Sequence, residues 1–252
     1  MREEFNGAGN VVTAWSQDYN FLALCGENNV LHVINRQGKK TFEANMQKPG
    51  KVEAIDWDIE GDTLAIQQAG LNLVTLWNLL TKTYTEIVNT QTTKDRVTFI
   101  RWSRTKPVLV FGTEKGLLTF YYKKKLNSLP CVGKHSKEVI SGDWNDDLLV
   151  TGGKDNMITI SKVNGDTARQ SLILKGPPQD LCWARQKTDD RDSELKHVTA
   201  IVKGKVITLA DITCNKMNEI NFHPGYGQIT VSWILTLVLS MVWRWLYDSR
   251  FC

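Results

Sequence analysis

The side chains that most often carry out catalysis or hold metal ions are few in this sequence and lie far apart. Its four histidines are His32, His135, His197 and His223, and no two of them have the spacing of a metal-binding pair. No glycine-rich phosphate loop precedes a helical pattern, and the serine elbow of hydrolases is absent. We therefore expect a non-enzymatic protein that uses neither a metal nor an organic cofactor.

Cysteine usage and net charge narrow the class of protein further. The number of cysteines is odd, none has C-x-x-C spacing and Met1-Arg-Glu-Glu does not begin a signal peptide, which favours reduced thiols in an intracellular protein. With 31 basic and 27 acidic side chains, the net charge of +4 is too small to indicate a nucleic-acid-binding protein. The cysteines are Cys25, Cys131, Cys182, Cys214 and Cys252, and we expect Cys25 and Cys182 to be buried in apolar strands.

The stretch Leu148–Lys162 indicates which elements position the candidate residues. Leu148–Thr151 is a short β-branched run, and Met157–Ile160 alternates apolar and polar residues as a half-buried strand does. Between them, Gly152–Asn156 predicts a tight turn. We expect its two glycines to supply the positive φ angle that such a turn requires. The stretch is therefore predicted to be a β-hairpin.

Two independent sequence markers recur along the chain at nearly the same interval. Strand-like segments that follow a glycine-containing turn recur after 43, 44, 40 and 49 residues. Tryptophans that end a short strand recur after 42, 45, 42 and 39 residues. A period of about 40–45 residues with several strands per unit is typical of a β-propeller blade. The strand segments are Leu31–Asn35, Val74–Asn78, Leu118–Tyr122, Ile158–Lys162 and Ile207–Asp211, and the tryptophans are Trp15, Trp57, Trp102, Trp144 and Trp183.

The fold is predicted to be all-β, an incomplete propeller of five blades and a broken sixth. Helical periodicity is not sustained in the repeat region, which argues against an α/β enzyme fold. We assign residues 1–214 to the five blades and residues 215–252 to a partial sixth blade with an apolar tail. The sixth unit begins near Gly225–Trp233, and Trp233 follows Trp183 by 50 residues. An open ring of this kind would expose an apolar edge near Val231–Leu246.

The chain loses its repeat pattern after Trp233. The apolar stretch Ile229–Trp243 has 15 residues, fewer than the roughly 20 that a membrane-spanning helix needs. Three interpretations remain open for it: a membrane anchor, a buried or helical stretch, and an aberrant end of the coding sequence.

The fourth unit resembles the WD-repeat signature, small-Gly-x-x-Asp-x-x-Ile-x-Ile-Trp-Asp. Thr151–Lys162 carries the match, with Asp155 at the turn aspartate and His135 at the histidine near the start of the repeat. In WD repeats these two side chains hydrogen-bond within the blade, so the resemblance implies structural roles for them. Ser161-Lys162 replaces the Trp-Asp ending, and only the second unit keeps that tryptophan, as Trp77. The repeats are therefore degenerate, and we expect an incomplete polar network.

Five segments spread over several blades carry a second resemblance: Val52–Asp58, Gly61–Ala65, Gly133–Lys137, Asp155–Thr159 and Gly165–Gln170. They are similar to the amino-terminal propeller of the WD-repeat scaffold subunits of intraflagellar transport complex A. That resemblance implies a scaffold for retrograde ciliary transport and for trafficking of ciliary membrane proteins. It implies other complex A subunits and ciliary cargo as partners, and the cilium, the ciliary base and the cytoplasm as locations. We expect no nucleic-acid partner and at most an indirect contact with membranes.

Two non-enzymatic functions follow from these observations. The first is a protein-interaction scaffold whose binding loops motif searches do not detect. The alternative is direct binding of anionic lipid or nucleic acid through basic loops, with Lys123–Lys125 and Lys203–Lys205 as candidates. The charged insertion Gln186–Lys196 is expected to be a solvated loop. The predicted structural positions of the blades are Trp15, Trp57, Trp77, Trp102, His135, Trp144, Asp155 and Trp183.

Overall fold

A computed structural model describes residues 9–88, 95–183, 198–212 and 216–223 of the chain. The predicted sixth unit, the apolar stretch Ile229–Trp243, the expected edge near Val231–Leu246 and the insertion Gln186–Lys196 lie outside these described residues. Within the described ranges no helix is long and apolar enough to cross a membrane. The helical structure there is one 3₁₀ turn, Lys123–Lys125.

In the described part of the chain, twenty strands form five four-stranded antiparallel sheets, which we number as the first to fifth blades. The first blade contains β1 (Val12–Trp15), β2 (Phe21–Cys25), β3 (Val30–Asn35) and β4 (Lys40–Asn45), and the second contains β5 (Val52–Trp57), β6 (Thr63–Gln68), β7 (Leu73–Asn78) and β8 (Thr83–Val88). The third contains β9 (Val97–Trp102), β10 (Val108–Thr113), β11 (Leu118–Tyr122) and β12 (Asn127–Cys131). The fourth contains β13 (Val139–Asn145), β14 (Leu148–Gly153), β15 (Met157–Lys162) and β16 (Thr167–Ile173). The fifth contains β17 (Asp180–Trp183), β18 (Val198–Lys203), β19 (Val206–Asp211) and β20 (Lys216–Asn221).

In every blade the strands pair in sequence order, and the first strand of each blade contacts the first strand of the next. Successive first strands therefore line up side by side while the other three strands of each blade extend away from them. This arrangement confirms the prediction of an all-β propeller with five recognisable blades.

The burial of the strands follows from this arrangement. Central strands such as β6 and β10 are buried along their whole length, because a neighbouring blade covers each face. Outer strands such as β4 alternate exposed and half-buried residues. Four hydrophobic clusters fill the spaces between consecutive blades, so the core of this protein is divided among the blade interfaces.

The predicted boundary after residue 214 falls inside the fifth blade. Strand β20 pairs with β19 along its full length, from Asp211 opposite Lys216 to Val206 opposite Asn221. Its sequence, Lys-Met-Asn-Glu-Ile-Asn, is mostly exposed and polar because it is the outer strand. A polar outer strand shows little of the apolar pattern from which the boundary was predicted. The fifth blade therefore extends beyond residue 214, to Asn221.

One glycine couples the third blade closely to the fourth. Gly116, in the turn between β10 and β11, has a φ angle of +87°. A Cβ atom placed on it would lie 2.4 Å from the His135 carbonyl oxygen and 2.8 Å from that of Lys137. Gly70 lies in the corresponding turn of the second blade with a φ angle of +81°, and a Cβ atom there would meet nothing within 4 Å.

We predict that Gly116→Ala destabilises the protein far more than Gly70→Ala does. Placing a side chain at positive φ should lower the free energy of unfolding by about 1–2 kcal/mol at either position. At Gly116 the clash with the main chain of the next blade adds strain, for a total of about 2–5 kcal/mol. Urea denaturation of the two variants measures the difference. Equal losses would show that the two blades are not in close contact at this turn.

Candidate functional site

Five tryptophans occupy the same place in five consecutive blades. Trp15, Trp57, Trp102 and Trp183 are the last residues of first strands, and Trp144 is the next-to-last residue of β13. We call these five residues the junction tryptophans. Four of them are at most 4% exposed, whereas Trp15 is 47% exposed.

Three junction tryptophans bind the blade that precedes them. The indole N–H of Trp57 donates to the Ala14 carbonyl at 3.0 Å, and Ala14 is the residue before Trp15. The indole of Trp144 donates to the Arg101 carbonyl at 3.3 Å. The indole of Trp183 donates to the Asp143 carbonyl at 2.9 Å. In each case the acceptor is the residue before the previous junction tryptophan, so one bond is repeated at successive interfaces.

Two aspartates add a second link of the same kind. Asp56 Oδ2 accepts the main-chain N–H of Trp102 at 2.7 Å, and Asp143 Oδ2 accepts that of Trp183 at 3.1 Å. At the junction between the second and third blades only the aspartate bond is present, because the buried indole nitrogen of Trp102 has no hydrogen-bond partner among the described residues. Every interface between described blades is therefore joined at its junction tryptophan.

The residues before the junction tryptophans also form a row of opposite charges, Asp56, Arg101 and Asp143. Burial raises the pKa of Asp56, although Arg101 and Arg104 act against the increase. Burial alone would lower the pKa of Arg101, but the carboxylates of Asp56, Asp143 and Asp180 raise it. Arg101 is thus a permanent cation held between carboxylates of the second and fourth blades.

Trp15 differs from the other junction tryptophans because no described blade precedes it. Trp15 pairs with Leu22 of β2 and lies on the opposite side of the first blade from Val12 and Ala14, which pack toward the second blade.

Trp77, the predicted WD-signature tryptophan, lies on β7 and is fully buried against Phe42, with ring centroids 4.1 Å apart. It belongs to a third strand and is not equivalent to the junction tryptophans.

His135 and Asp155 are brought together in the fourth blade. The Nδ1 atom of His135 lies 3.1 Å from Asp155 Oδ1, and its Nε2 atom lies 3.0 Å from Thr151 Oγ1. Thr151 in turn lies 2.8 Å from the Thr159 hydroxyl. Burial lowers the pKa of His135 against the opposing effect of Asp155, which favours the neutral ring. A neutral ring that donates from Nδ1 accepts at Nε2. The hydrogen bonds therefore all run in one direction, from Thr159 through Thr151 and His135 to Asp155.

The two glycines of the fourth-blade hairpin do not perform the role expected of them. Gly152 and Gly153 lie within β14, and the residue with positive φ is Asn156, at 64°. A Cβ atom on Gly153 would lie 2.6 Å from His135 Nδ1, and one on Gly152 would lie 2.7 Å from Pro178 Cγ. The glycines are required because the histidine ring and the following blade approach the strand closely.

The polar network has gaps in three blades, at Ser161 in the fourth and at Thr119 and Thr208, the counterparts of Thr159 in the third and fifth blades, all among the described residues. Ser161, at the position of the signature tryptophan, has a buried hydroxyl without a hydrogen-bond partner among the described residues. The threonine two residues earlier extends the chain of hydrogen bonds from His135. In the first blade, Asn28 takes the place of the turn aspartate and accepts the Val30 N–H at 3.2 Å, as Asp155 accepts that of Met157.

Lys123 is the centre of the densest ion cluster in the part of the chain that is described. Its ammonium group donates to Asp58, Glu60 and Asp62 of the second blade at 2.5, 2.8 and 2.6 Å. These three carboxylates lie close enough together to hold a metal ion. The Lys123 ammonium supplies the positive charge there, and it joins the third blade to the second.

The structure does not favour the basic loops as binding sites for anionic lipid or nucleic acid. Burial lowers the pKa of Lys123, but its hydrogen bonds to the three carboxylates raise it above the ordinary value. Lys203 pairs with Glu219 at 3.0 Å, and Lys205 also has a partner. Lys123 and Lys203 therefore direct their charges to carboxylates of the protein itself, whereas Lys124 and Lys125 do not join the Lys123 cluster.

Two other groups that could take part in chemistry, His32 and Cys25, lie on strands of the first blade. His32 lies on β3, with its Nδ1 atom 3.3 Å from Glu43 Oε2. Cys25 is buried, which raises the pKa of its thiol to about 11 and makes it a poor nucleophile. Sequence analysis missed the junction acceptors and the partners of Lys123, because they lie 40 to 65 residues away along the chain.

Comparisons with known proteins agree with this geometry. A family model described as the WDR19 first β-propeller matches residues 11–236. WD repeat-containing protein 19 of Homo sapiens is 33% identical over 221 residues, which are 86% of this chain and 16% of that protein. WD repeat-containing protein dyf-2 of Caenorhabditis elegans is 25% identical over 232 residues, which are 90% of this chain and 16% of that protein. The chain therefore spans a small part of these relatives.

The solved structures support the fold alone. A chain from the crystal structure of the mitotic checkpoint complex is similar with a TM-score of 0.70 and 20% sequence identity. The similarity covers 87% of this chain and 65% of that one.

We predict that Trp57→Phe destabilises the protein and that Trp15→Phe does not. Trp57→Phe removes the donor to the Ala14 carbonyl, which should lower the free energy of unfolding by about 1–3 kcal/mol. Trp15→Phe should change it by less than about 0.5 kcal/mol, as is usual for exposed positions. Trp102→Phe is the matched control for lost ring volume, because Trp102 is equally buried without an indole partner. Equal effects of Trp57→Phe and Trp102→Phe would contradict a role for the junction bond.

His135→Ala should damage folding, by about 1–3 kcal/mol near neutral pH, because it leaves Thr151 and Asp155 with an unpaired group. The pKa of His135 is lower in the folded state than its ordinary value of 6.5. The unfolded chain therefore binds the proton more readily than the folded protein does. The stability that neutral His135 gives the wild-type protein is lost as the pH falls below 6.5. The stability difference between wild type and variant should shrink between pH 7 and pH 5. A difference that grows in acid, or an unchanged melting temperature, would contradict the structural role.

Proposed function

The chain belongs to the family of the WDR19 first β-propeller, and on that premise we propose that it is a non-catalytic protein-interaction scaffold. In this proposal it acts as part of an intraflagellar transport complex A subunit, in retrograde ciliary transport and in the trafficking of ciliary membrane proteins. Its partners are other subunits of that complex and ciliary cargo. Its locations are the cilium, the ciliary base and the cytoplasm.

The observation that carries the proposal is the way the chain uses its polar residues. The junction bonds, the hydrogen-bond chain at His135 and the ion cluster at Lys123 all join strands or blades to one another. Such contacts hold loops from several blades in fixed relative positions, and a rigid array of loops suits the recognition of large protein surfaces. Family membership supports complex A subunits and ciliary cargo as the surfaces that this array recognises.

A chimera provides the test. Residues 11–236 replace the matched propeller segment of human WD repeat-containing protein 19, and the chimera is expressed in ciliated cells that lack the original protein. We expect the chimera to co-sediment with complex A and to restore return of cargo from the ciliary tip. Failure of both, with the chimera folded and expressed at the level of the original, would contradict the proposal.

A charge-reversal variant separates the scaffold from direct lipid or nucleic-acid binding. Lys124→Glu with Lys125→Glu changes the two lysines of the 3₁₀ turn that do not join the Lys123 ion cluster. The doubly substituted chimera should assemble and transport as the unsubstituted one does. Loss of transport together with loss of salt-sensitive binding to anionic vesicles would support the lipid interpretation instead.

A further inference from the structure

Two large apolar side chains stand at turn positions where other blades have glycine. Tyr19, in the turn after β1, has a φ angle of 57°, and Gly61 holds the equivalent position after β5. Leu126, in the turn after β11, has a φ angle of 51°, and Gly165 holds the equivalent position after β15. In all four turns the main-chain N–H of this residue donates to the carbonyl three residues earlier. A bulky residue is strained at positive φ and glycine is not, so glycine would suffice if these turns only connected strands.

The strained side chains are mostly exposed to solvent. Tyr19 is 62% exposed and Leu126 is 77% exposed, and Leu80, in the turn after β7, is 75% exposed. Each of these turns follows the first or the third strand of its blade, and these two strands run in the same direction. The three side chains therefore lie at one end of the blades. Strain that is not repaid by burial indicates a role outside the blade itself.

The turns that carry these side chains contact one further turn, residues 58–62 between β5 and β6. The carboxylate of the residue before Tyr19 lies 3.7 Å from the position that a Cβ atom on Gly61 would take. The main-chain N–H of the residue before Leu80 donates to the Asp62 carbonyl at 2.7 Å. The exposed ring and the exposed leucine therefore lie beside the same turn.

The turn of Leu126 reaches these residues through Lys123, whose ammonium group binds the three carboxylates of residues 58–62. Three carboxylates face one ammonium group there, and the other two lysines of the 3₁₀ turn do not join the cluster. A negative charge remains, and the Glu60 side chain is 46% exposed. The surface is thus apolar at its edge and negative at its centre. We call Tyr19, Leu80, Leu126 and residues 58–62 the turn patch.

We propose that the turn patch binds another subunit of complex A, through a segment that presents one arginine or lysine between apolar side chains. The basic group of that segment complements the negative centre, and its apolar groups cover the exposed ring and leucines. The contacts among the four turns form the patch before the partner binds, which suits a permanent partner. This assignment rests on the function proposed above, and it specifies the surface used and the chemistry of the partner.

Photocrosslinking tests the assignment in the chimera described above. In separate preparations, p-benzoylphenylalanine replaces Tyr19 or Leu126, and mass spectrometry identifies the peptides to which the assembled chimera crosslinks. We expect both positions to crosslink to one stretch of a single complex A subunit, with a basic residue among apolar ones. Val132 is the matched control, because it is 77% exposed and follows the fourth strand of the third blade, at the opposite end. The same probe in its place should not crosslink to that stretch.

A charge variant tests the centre of the turn patch. Glu60→Gln removes one negative charge and leaves Lys123 two carboxylates, so the contact between the blades is kept. It should lower the crosslinking yield from the Leu126 position at least about tenfold, the factor that corresponds to 1.4 kcal/mol in a binding equilibrium. Glu86→Gln, on β8, removes a carboxylate that is similarly exposed and also pairs with a lysine, and it should leave the yield unchanged. Equal yields from the two variants would contradict a basic partner.

Glycine variants distinguish binding from a structural role of the strained side chains. Tyr19→Gly and Leu126→Gly give each turn the residue that an equivalent turn already has. The melting temperature of the 252-residue chain should therefore stay equal or rise. A lower melting temperature in both variants would show that the two side chains stabilise the fold, and it would overturn the proposal.

The crosslinking results separate this proposal from the function on which it rests. A chimera that joins complex A and crosslinks from neither position overturns the turn patch alone. Crosslinks from the two positions to different subunits, or to ciliary cargo only, overturn it as well. A chimera that is folded and does not join complex A contradicts the proposed function, and the assignment of the patch with it.

Discussion

The fold depends on a single repeated contact, the junction tryptophan of one blade meeting the first strand of the blade before it. A four-stranded sheet has two faces, and neither can remain in water when both are apolar. The first strands therefore have to stand next to each other at a fixed distance, and the indole donates to the same main-chain position across each of three interfaces. A buried carbonyl that lost this donor would be left without a hydrogen bond. Each tryptophan must therefore reach the carbonyl in the preceding blade, and this requirement limits how far apart successive tryptophans lie in the sequence.

Charged residues join some of the same blade interfaces. Arg101 lies between carboxylates of the second and fourth blades, and Lys123 of the third blade enters a group of three carboxylates on the second. Opposite charges that lie close together often add little net stability, but removing one of them leaves the other uncompensated. Opposite charges on two blades match only when those blades face each other, and such matching distinguishes blades whose apolar faces are similar. A protein of this construction presents loops whose positions are fixed relative to one another.

The sequence was sufficient to predict the blades, because tryptophans and turn glycines mark each unit independently. It was insufficient wherever a contact joins distant residues. Nothing in Lys123–Lys125 indicates that the first lysine lies among Asp58, Glu60 and Asp62, and a basic triplet suggested a binding loop instead. The glycines of the fourth hairpin were assigned to the turn, because the ring of His135 that excludes a side chain is distant in sequence. The polar outer strand β20 escaped notice because it has only one half-buried residue, Ile220.

The central claim is that the junctions make the blades one cooperative unit, and hydrogen exchange of the indole N–H groups tests it most directly. With ¹⁵N-labelled tryptophan, the exchange rates of Trp57, Trp144 and Trp183 can be compared with that of Trp15 by nuclear magnetic resonance. We expect the three bonded groups to exchange with one common free energy, equal to that of global unfolding, and Trp15 to exchange without measurable protection. Three different free energies, or exchange of Trp57 and Trp183 as fast as that of Trp15, would show that the blades open separately.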